Sequence, residues 1–442
     1  MLEIVYIIIA LGLTILVHEL GHFLVAKALK IRVEAFSIGF GPQIVSWKSG
    51  DTEYRLSWLF FLGGYVKLSG EDPEKVDPSD EKAFLNQHPF KKILIAVSGV
   101  IQNFIFAFVL VWVVFMAGTD ALKPVIGTVK QGYPAAEAGL RPGDEVISVN
   151  GKEIKYWGDL TDAIVSSGNT ELVVAARRGS KIISLKIKPR IEETEDHFGE
   201  KKPKPVIGIT PLAVLAEIED FEKGLPAASS GLKKGDVIIS VNGKKTGSWD
   251  EVRENIESSD EEVEIGVMRG TETLAFKIKT EQKQYKDRSS GKKTSVRVIG
   301  IIPKANSTKE RYGPVKAADK AARQVAEFTD LTVRSIYKMI TRKIKPDVAG
   351  PIGVMQISYE VAKTGLLNLL FLFAIININL ALVNFLPVLP LDGGLALVFL
   401  IEWLTGRKMP LKAQETLMQI GWMLLIALLF FLTYQDILRL VK

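Results

Sequence analysis

The stretch IVYIIIALGLTILVHELGHFLV (residues 4–25) decides the fold of this chain. It is apolar except for a small cluster near its end, and a helix of about 20 apolar residues crosses the hydrocarbon core of a bilayer. The cluster contains three ionisable side chains, His18, Glu19 and His22. Ionisable groups inside a spanning helix are costly to insert, so they indicate a functional site. The stretch therefore predicts both a membrane protein and the location of its chemistry.

His18, Glu19 and His22 form the pattern HExxH. On a helix, residues four apart lie on the same face one turn apart, so both imidazoles can bind one metal ion while Glu19 reaches a water molecule beside it. A buried polar patch that serves helix packing is the alternative. A catalytic zinc usually has three protein ligands. The two histidines therefore require a third ligand from elsewhere in the chain.

Acidic residues at membrane depth are the candidates for this third ligand. Asp392 stands out, within NFLPVLPLDGG at residues 384–394. Pro387 and Pro390 lack an amide hydrogen and two glycines follow Asp392, so this stretch is predicted to break the helix and to present Asp392 from an unwound turn. Non-helical backbone at membrane depth is tolerated where it lines a cavity. A site that uses water has to lie in such a cavity.

Three further blocks are long and nearly uncharged, at residues 93–117, 366–388 and 420–432 with its flanks. The chain has 442 residues, of which 47% are hydrophobic and 24% charged, and its mean hydropathy is +0.19. This combination requires the apolar residues to be concentrated in segments. We predict a multi-pass α-helical membrane protein with four transmembrane helices.

Composition also excludes several classes of protein. The chain has no cysteine, which excludes a disulfide framework, a catalytic thiol and a thiolate metal site. The net charge of +6 comes from lysines and arginines scattered among many acids, which is typical of a solvated surface rather than a nucleic-acid interface. We therefore expect the lipid bilayer as a partner and no nucleic acid.

The distribution of basic residues predicts the topology. The first span lacks the basic region and the cleavage site of a signal peptide, so we expect it to remain uncleaved. Basic residues gather on the cytoplasmic side of membrane proteins, which places the site toward the cytoplasm of the cell inner membrane and both termini and the long insert outside; Arg439 and Lys442 oppose this orientation. The residues that favour it are Lys27, Lys30, Arg32, Lys82, Lys91, Lys92, Arg407, Lys408 and Lys412.

The long insert between the second and third spans contains a tandem repeat. GLRPGDEVISVNG at 139–151 returns as GLKKGDVIISVNG at 231–243, and VIGITP at 206–211 returns as VIGIIP at 298–303, an offset of 92 residues. In each copy a Gly-Asp turn leads into an alternating strand and an Asn-Gly hairpin turn. The pattern resembles the PDZ domain in its bacterial, circularly permuted form. PDZ domains bind extended peptides as an added strand. Two interpretations remain: the copies bind peptides in such grooves, or they are rigid spacers whose grooves are empty.

Two further segments flank the spans. Residues 314–343 have the pattern of an amphipathic helix, which we expect to lie against the membrane or the two PDZ-like copies; a simple linker helix is the alternative. Residues 33–70 alternate in part and are punctuated by Gly and Pro, as in β hairpins. We hypothesise a sheet that dips into the membrane and pairs by its edge with an unwound substrate. The alternative is a cap that only plugs the cavity.

Several motifs together resemble the site-2 proteases, a family of intramembrane zinc metalloproteases. They are HELGH at 18–22, GGYVK at 63–67, the two PDZ-like copies, GPIG at 350–353 and NFLPVLPLDGG at 384–394. The likeness covers essentially the whole chain. Leu395 stands where the family often has His, and Val100 replaces the Pro of a family string that ends here at Asn103. Neither position is a ligand, so the catalytic expectation is unaffected.

The resemblance implies a zinc endopeptidase that cuts single-span membrane proteins within or beside their transmembrane helix. Zinc would be held by His18, His22 and Asp392, with Glu19 as the general base, and Asn384 would hold the substrate backbone near the scissile bond. The implied substrates are anti-sigma factors already trimmed by another protease, in the envelope stress response, and remnant signal peptides. The paired PDZ domains would exclude substrates with bulky outer domains. A re-entrant β element is implied as well.

Two other classes of function remain as hypotheses. A non-proteolytic membrane scaffold would present PDZ grooves to peptides, but it needs neither the HExxH pattern nor Asp392. A transporter with a metal at mid-membrane is the third hypothesis. Four spans without repeated spans, together with a glutamate placed as a base, fit hydrolysis better.

We predict the following division of the chain. It comprises the first transmembrane helix with HExxH at 1–29, a cytoplasmic-side re-entrant β region and loop at 30–91, the second transmembrane helix at 92–120, PDZ domain 1 at 121–211, PDZ domain 2 at 212–303, an amphipathic helix region at 304–349, the third transmembrane helix with the LDG motif at 350–392, and a cytoplasmic loop with the fourth transmembrane helix at 393–442.

Overall fold

A computed structural model describes residues 2–72, 75–195, 198–286, 293–343 and 348–441. The chain divides into two compact units, Met1–Thr119 with Arg311–Lys442, and Asp120–Glu310. The helices are α1 (Leu2–Ala28), α2 (Pro89–Ala117), α3 (Pro134–Glu137), α4 (Trp157–Ser167), α5 (Trp249–Glu257), α6 (Pro314–Ile340), α7 (Pro351–Lys363), α8 (Leu366–Asn384), α9 (Asp392–Thr405) and α10 (Leu411–Val441). The strands are β1 (Val33–Ser49), β2 (Thr52–Leu68), β3 (Thr119–Leu122), β4 (Ile126–Val129), β5 (Glu145–Val149), β6 (Lys152–Glu153), β7 (Leu172–Arg178), β8 (Lys181–Ile187), β9 (Arg190–Glu195), β10 (Lys201–Val206), β11 (Ile209–Pro211), β12 (Val214–Phe221), β13 (Val237–Val241), β14 (Lys244–Lys245), β15 (Glu262–Arg269), β16 (Glu272–Lys279), β17 (Glu281–Lys286), β18 (Lys293–Val298), β19 (Ile301–Ala305) and β20 (Ser307–Glu310).

The first unit contains the apolar helices. Among the described residues, four helices are long and apolar enough to cross a membrane, and these are Ile7–Ala28, Pro89–Ala117, Leu366–Asn384 and Leu411–Arg439. They belong to α1, α2, α8 and α10, which confirms the predicted multi-pass α-helical membrane protein. The fourth span is longer than its apolar block at 420–432, because the polar flanks of this block continue the helix.

Close contact between α1 and α2 brings the HExxH face of the first span against the second. Gly21 of α1 makes this possible, since a Cβ at this position would lie 2.5 Å from Ser98 O of α2. Small residues allow helices in membranes to approach closely. The polar residues of α1 are therefore enclosed by protein rather than exposed to lipid.

The amphipathic helix α6 packs against two spans. Ala321 of α6 is buried in one cluster with Val111 of α2 and Ile378 of α8, and the Trp112 indole donates to Pro314 O at 2.9 Å. We expected the membrane or the two PDZ-like copies as the partner of this helix. The contacts show that two spans cover part of its apolar face, which periodicity alone cannot identify.

The segment expected at 350–392 as one span with its motif contains a separate helix before the span. Residues Pro351–Lys363 form α7, and α8 starts only at Leu366. Gly365 between them has a φ of 120°, a conformation that side chains other than glycine rarely adopt. A similar break follows the span, where α9 begins at Asp392. The third span is therefore the shorter helix α8.

Strands β1 and β2 form the β element expected between the first two spans. Residues 35–38 of β1 lie between residues 53–56 of β2 on one side and residues 64–67 on the other, and residues 43–49 pair with 52–57. The last part of β2 is therefore an outer edge of this small sheet. Within the described ranges, no other strand pairs with that edge.

The second unit contains two copies of one fold at the offset of the sequence repeat. The central strands β5 and β13 each pair with the strand that follows the helix, β7 in the first copy and β15 in the second. Asn150 and Gly151 have φ of 50° and 76°, and Asn242 and Gly243 have φ of 50° and 77°, as the predicted Asn-Gly hairpin turns require. Each copy has its own hydrophobic core.

A buried carboxylate holds the turn that precedes the central strand of each copy. Asp236 is 1% exposed, accepts hydrogen bonds from Arg269 Nε and Nη2 at 2.7 Å, and accepts one from Lys233 N at 2.8 Å. The hydrogen bonds from Arg269 lower the pKa of Asp236. Asp144 and Arg178 form the equivalent pair in the first copy. The pair is therefore part of the repeated fold.

Arg269→Met is expected to reduce hydrogen-exchange protection of β13 and β15 at neutral pH, because Asp236 would remain buried without a counter-charge. A carboxyl with a lowered folded-state pKa contributes stability above its unfolded-state pKa of about 3.9, and this contribution is lost as the pH falls through the folded-state value. Hydrogen-exchange protection of the second copy in the wild type should therefore fall in acid. The difference in protection between the wild type and Arg269→Met should become smaller at the same time. Exchange of the intact protein across this pH range measures both effects.

Arg253→Met is the matched control for this prediction. Arg253 on α5 contacts Asp250 and Glu257 only at 3.7 and 3.9 Å, and such exposed pairs contribute little to stability. Equal loss of protection in the two variants would contradict a specific role for the buried pair.

Candidate metal centre

His18 and His22 lie on one face of α1, as their spacing predicts. The helix is uninterrupted from Leu2 to Ala28, so residues four apart are one turn apart. Their Nε2 atoms are 3.3 Å apart, and the two rings are nearly perpendicular, with centroids 4.9 Å apart. Both imidazoles therefore present Nε2 to the same point.

Asp392 reaches this point from the other end of the chain. Helix α8 ends at Asn384 and α9 begins at Asp392, so the helix is broken across the two intervening prolines. Asp392 Oδ2 lies 2.9 Å from His18 Nε2 and 3.5 Å from His22 Nε2. Ligand atoms from all three residues lie within 4.8 Å of one another.

These three atoms fit a divalent metal ion. Asp392 Oδ2 is buried and receives no well-formed hydrogen bond from the residues that the structure describes, an arrangement that is costly unless a cation meets the oxygen. Two imidazole nitrogens and one carboxylate oxygen form a donor set of catalytic zinc sites, in which the fourth position stays open. The side chains present are therefore suited to the ion that HExxH predicts.

The second nitrogen of each imidazole contacts α2. His22 Nδ1 lies 2.7 Å from Ile95 O, so Nδ1 carries the proton and donates to this carbonyl. The lone pair of His22 is then on Nε2, the nitrogen that faces Asp392 and His18. His18 Nδ1 lies 3.3 Å from Asn103 Nδ2. Contacts from α2 therefore orient both rings.

Glu19 lies beside the three candidate ligands in a cleft of about 210 Å³. Its Oε2 accepts a hydrogen bond from Val66 N of β2 at 3.1 Å, which holds the carboxylate on the cleft side of α1. Glu71 lines the same cleft and accepts from Leu68 N at 3.0 Å, and burial raises the pKa of Glu71. The cleft thus contains two carboxylates in addition to that of Asp392.

Asn384, the last residue of α8, also reaches the centre. Its Nδ2 lies 3.4 Å from His18 Nε2. The structure therefore brings together the five residues that sequence analysis singled out, which are His18, Glu19, His22, Asn384 and Asp392.

Gly99 of α2 is a site residue that sequence analysis missed. A Cβ at this position would lie 2.4 Å from His22 Nε2 and 2.6 Å from His18 Cε1. The missing side chain therefore provides the space in which the imidazoles meet. Glycine within an apolar span signals a close approach, but nothing in the sequence identifies the residues that approach.

Asn103 and Val66 were missed as well. Asn103 appeared only as the end of a motif string, yet it is completely buried beside His18. The backbone N–H of Val66 contacts Glu19, and a backbone contact leaves no trace in the residue type. A lone asparagine in an apolar span was the single available signal.

Several known proteins are similar to this chain. A family model described as Peptidase family M50 matches residues 6–428. "Protease RseP" of Yersinia pestis is 33% identical, and "Regulator of sigma-E protease RseP" of Escherichia coli and a "Putative zinc metalloprotease" of Vibrio cholerae are each 32% identical, every alignment covering 98% of both chains. Among solved structures, the PDZ domain of an SdrC-like protein from Listeria monocytogenes is 26% identical over 21% of this chain and 88% of that chain, with a TM-score of 0.17.

Proposed function

The chain belongs to peptidase family M50, and from this premise we propose that it is an intramembrane zinc endopeptidase that cuts single-span membrane proteins in or beside their transmembrane helix. One observation carries the proposal. Two histidines of an apolar helix and a distant aspartate direct their ligand atoms to one point, next to a glutamate in the same cleft. This combination has no use in a scaffold.

The proposed roles follow from the chemistry of the side chains. His18, His22 and Asp392 hold zinc, which, when bound, lowers the pKa of water and polarises the scissile carbonyl. The carboxylate of Glu19 accepts the proton of the attacking water and then delivers it to the leaving amine. Asn384 donates a hydrogen bond to the substrate backbone and so orients the scissile bond.

A transmembrane helix is a poor substrate until it is unwound, because its amides are hydrogen-bonded internally. The outer edge of β2 provides partners for an unwound segment. The N–H groups of Val66 and Leu68 point away from β1 and donate to Glu19 and Glu71, and alternate residues of a strand face the same edge. We propose that the substrate adds as a strand along this edge and that its carbonyl groups replace the two carboxylates as acceptors, which sets its backbone beside Glu19.

Val66→Pro is expected to lower the rate of cleavage by about tenfold or more, the effect of losing one backbone hydrogen bond of about 1.5 kcal/mol from the productive complex. Residue 66 donates outward, so proline here leaves the ladder to β1 intact. Zinc content should be unchanged. Cleavage of a model single-span substrate under single-turnover conditions measures the effect.

Val66→Ala is the matched control, since it removes the same side chain but keeps the N–H group. Cleavage by the proline variant at the rate of the alanine variant would remove strand addition from the mechanism. It would leave the β element as a cap that only plugs the cavity.

The two PDZ-like copies are proposed to control access to the cleft. In this proposal the site lies toward the cytoplasm and the copies lie outside the cell inner membrane. The copies then exclude substrates with large outer domains. The Escherichia coli relative is named "Regulator of sigma-E protease RseP", which supports trimmed anti-sigma factors as substrates; remnant signal peptides are proposed as a second class. A groove of about 450 Å³ lined by Trp249, Arg253, Ile256, Val298, Gly300 and Ile301 supports peptide binding by the second copy.

The proposed function is tested with two forms of one single-span substrate, with and without its outer domain. The purified protein should cut the truncated form much faster, a chelator should stop the cleavage, and added zinc should restore it. Metal content should be one zinc per chain. Equal cleavage rates for the two forms would contradict size selection by the PDZ-like copies. A purified protein that holds no metal would contradict the proposed peptidase activity and favour the scaffold hypothesis.

A further inference from the structure

Asn103 lies behind His18, on the side away from Asp392. We propose that its Oδ1 accepts a hydrogen bond from His18 Nδ1 when zinc is bound, and that Asn103 thereby fixes the tautomer in which His18 Nε2 faces the metal. Asn103 is in this sense a positioning residue. The inference rests on the proposed function, because it assigns a partner to one proposed zinc ligand.

The geometry brings the side chains of Asn103 and His18 together at this point. Asn103 is 0% exposed and projects from α2, and its amide lies 3.3 Å from His18 Nδ1. His18 Nε2 lies 2.9 Å from Asp392 Oδ2. One ring nitrogen therefore faces the candidate metal position while the other faces the amide.

The requirement for the amide oxygen follows from the protonation of the imidazole. A neutral imidazole carries one proton, and the nitrogen that binds a metal must be the unprotonated one. If Nε2 binds zinc, Nδ1 carries the proton and needs an acceptor. An amide NH₂ group at this position would set donor against donor, whereas Oδ1 accepts. The two tautomers of His18 therefore demand opposite orientations of Asn103.

The amide as placed suits the tautomer that zinc binding excludes. Its Nδ2 faces His18 Nδ1, and its Oδ1 is buried without a hydrogen-bond partner among the described residues. A half-turn about the last side-chain torsion angle exchanges the two atoms at no cost in shape. This exchange gives the orphaned oxygen a donor in His18 Nδ1–H.

The Nδ1 atom of His22 also has a hydrogen-bond partner on α2, but this partner is a backbone carbonyl. His22 Nδ1 faces Ile95 O at 2.7 Å, an acceptor in any state of the protein. The partner of His18 is instead a side chain that can turn. Substitution of Asn103 therefore alters the His18 contact directly, whereas the Ile95 carbonyl would remain after substitution of the Ile95 side chain.

The test compares the full-length Asn103→Leu and Asn103→Asp variants with the wild type, using zinc affinity from competition with a chromophoric chelator as the readout. Loss of a partner behind a metal-binding histidine typically weakens metal binding about 10–100-fold, and we expect this for Asn103→Leu. Asn103→Asp keeps an acceptor and removes the donor, so its zinc affinity should equal or exceed that of the wild type.

Asn377→Leu is the matched control, because Asn377 is equally buried in a span but donates to Thr14 Oγ1 and Phe373 O. Its zinc affinity should remain that of the wild type. The proposal would be overturned if Asn103→Asp bound zinc as weakly as Asn103→Leu. It would also be overturned if Asn103→Leu bound zinc as tightly as the control. If Asn103→Leu fails to fold, the zinc affinity of Asn103→Asp alone tests the proposal, and an affinity below that of the wild type contradicts it. A wild-type protein that binds no zinc would contradict the proposed function itself.

Discussion

Replacing Glu19 by Gln is expected to lower the rate of peptide-bond cleavage by about 10²–10⁴-fold, the usual contribution of a positioned general base, while the protein still binds one zinc per chain. Gln has the same shape and its amide oxygen can still accept the hydrogen bond from Val66 N. It cannot accept a proton at neutral pH. The variant therefore removes proton transfer and leaves the cleft as it is.

The measurement combines single-turnover cleavage of a truncated single-span substrate with metal analysis of the same preparation. Glu415→Gln, an exposed change at the start of α10, controls for the loss of one negative charge. Wild-type cleavage by the Glu19 variant would remove this residue from the mechanism. Loss of zinc together with activity would show that Glu19 acts as a ligand instead.

Replacing Gly99 by Ala is expected to weaken zinc binding by more than about tenfold, as for other disruptions around metal-binding histidines. The added Cβ would lie 2.4 Å from His22 Nε2 and 2.8 Å from His18 Nε2, the two nitrogens proposed to bind the ion. Neither ring can stay in place. Ala within a helix is otherwise favoured over Gly by about 0.5–1 kcal/mol, so the helix itself should not be weakened.

Zinc affinity and thermal unfolding of the same variant separate the two effects. Gly158→Ala is the matched control, because Gly158 lies in helix α4 with open space around it. A Gly99→Ala protein that binds zinc like the wild type would mean that the rings are not crowded by α2. Cleavage should fall with zinc affinity and recover in part when zinc is in excess.

Local patterns in the sequence were sufficient for most of the architecture. A run of apolar residues forms a spanning helix wherever the bilayer thickness is matched, so the four spans follow from length and composition alone. The repeat predicted two copies, and both Asn-Gly turns adopt the expected conformation. The pairing of His18 with His22 needed only the helical period.

Contacts between distant segments were harder to foresee. The packing of α6 on α2 and α8 and the separate helix α7 before the third span were not foreseen. In both cases the local pattern describes an element and its apolar face, while the surface that covers the face is set by the whole fold.

By itself, the sequence determined the spans, the repeat and the residues with metal-binding chemistry, because these depend on residue type and on spacing along one element. Only the tertiary structure decided what surrounds them. Gly99, Asn103 and the Val66 N–H group reach His18, His22 and Glu19 from other helices and strands. Their roles depend on distances across packed elements, and such distances are fixed by the packing of the whole membrane unit rather than by any local pattern.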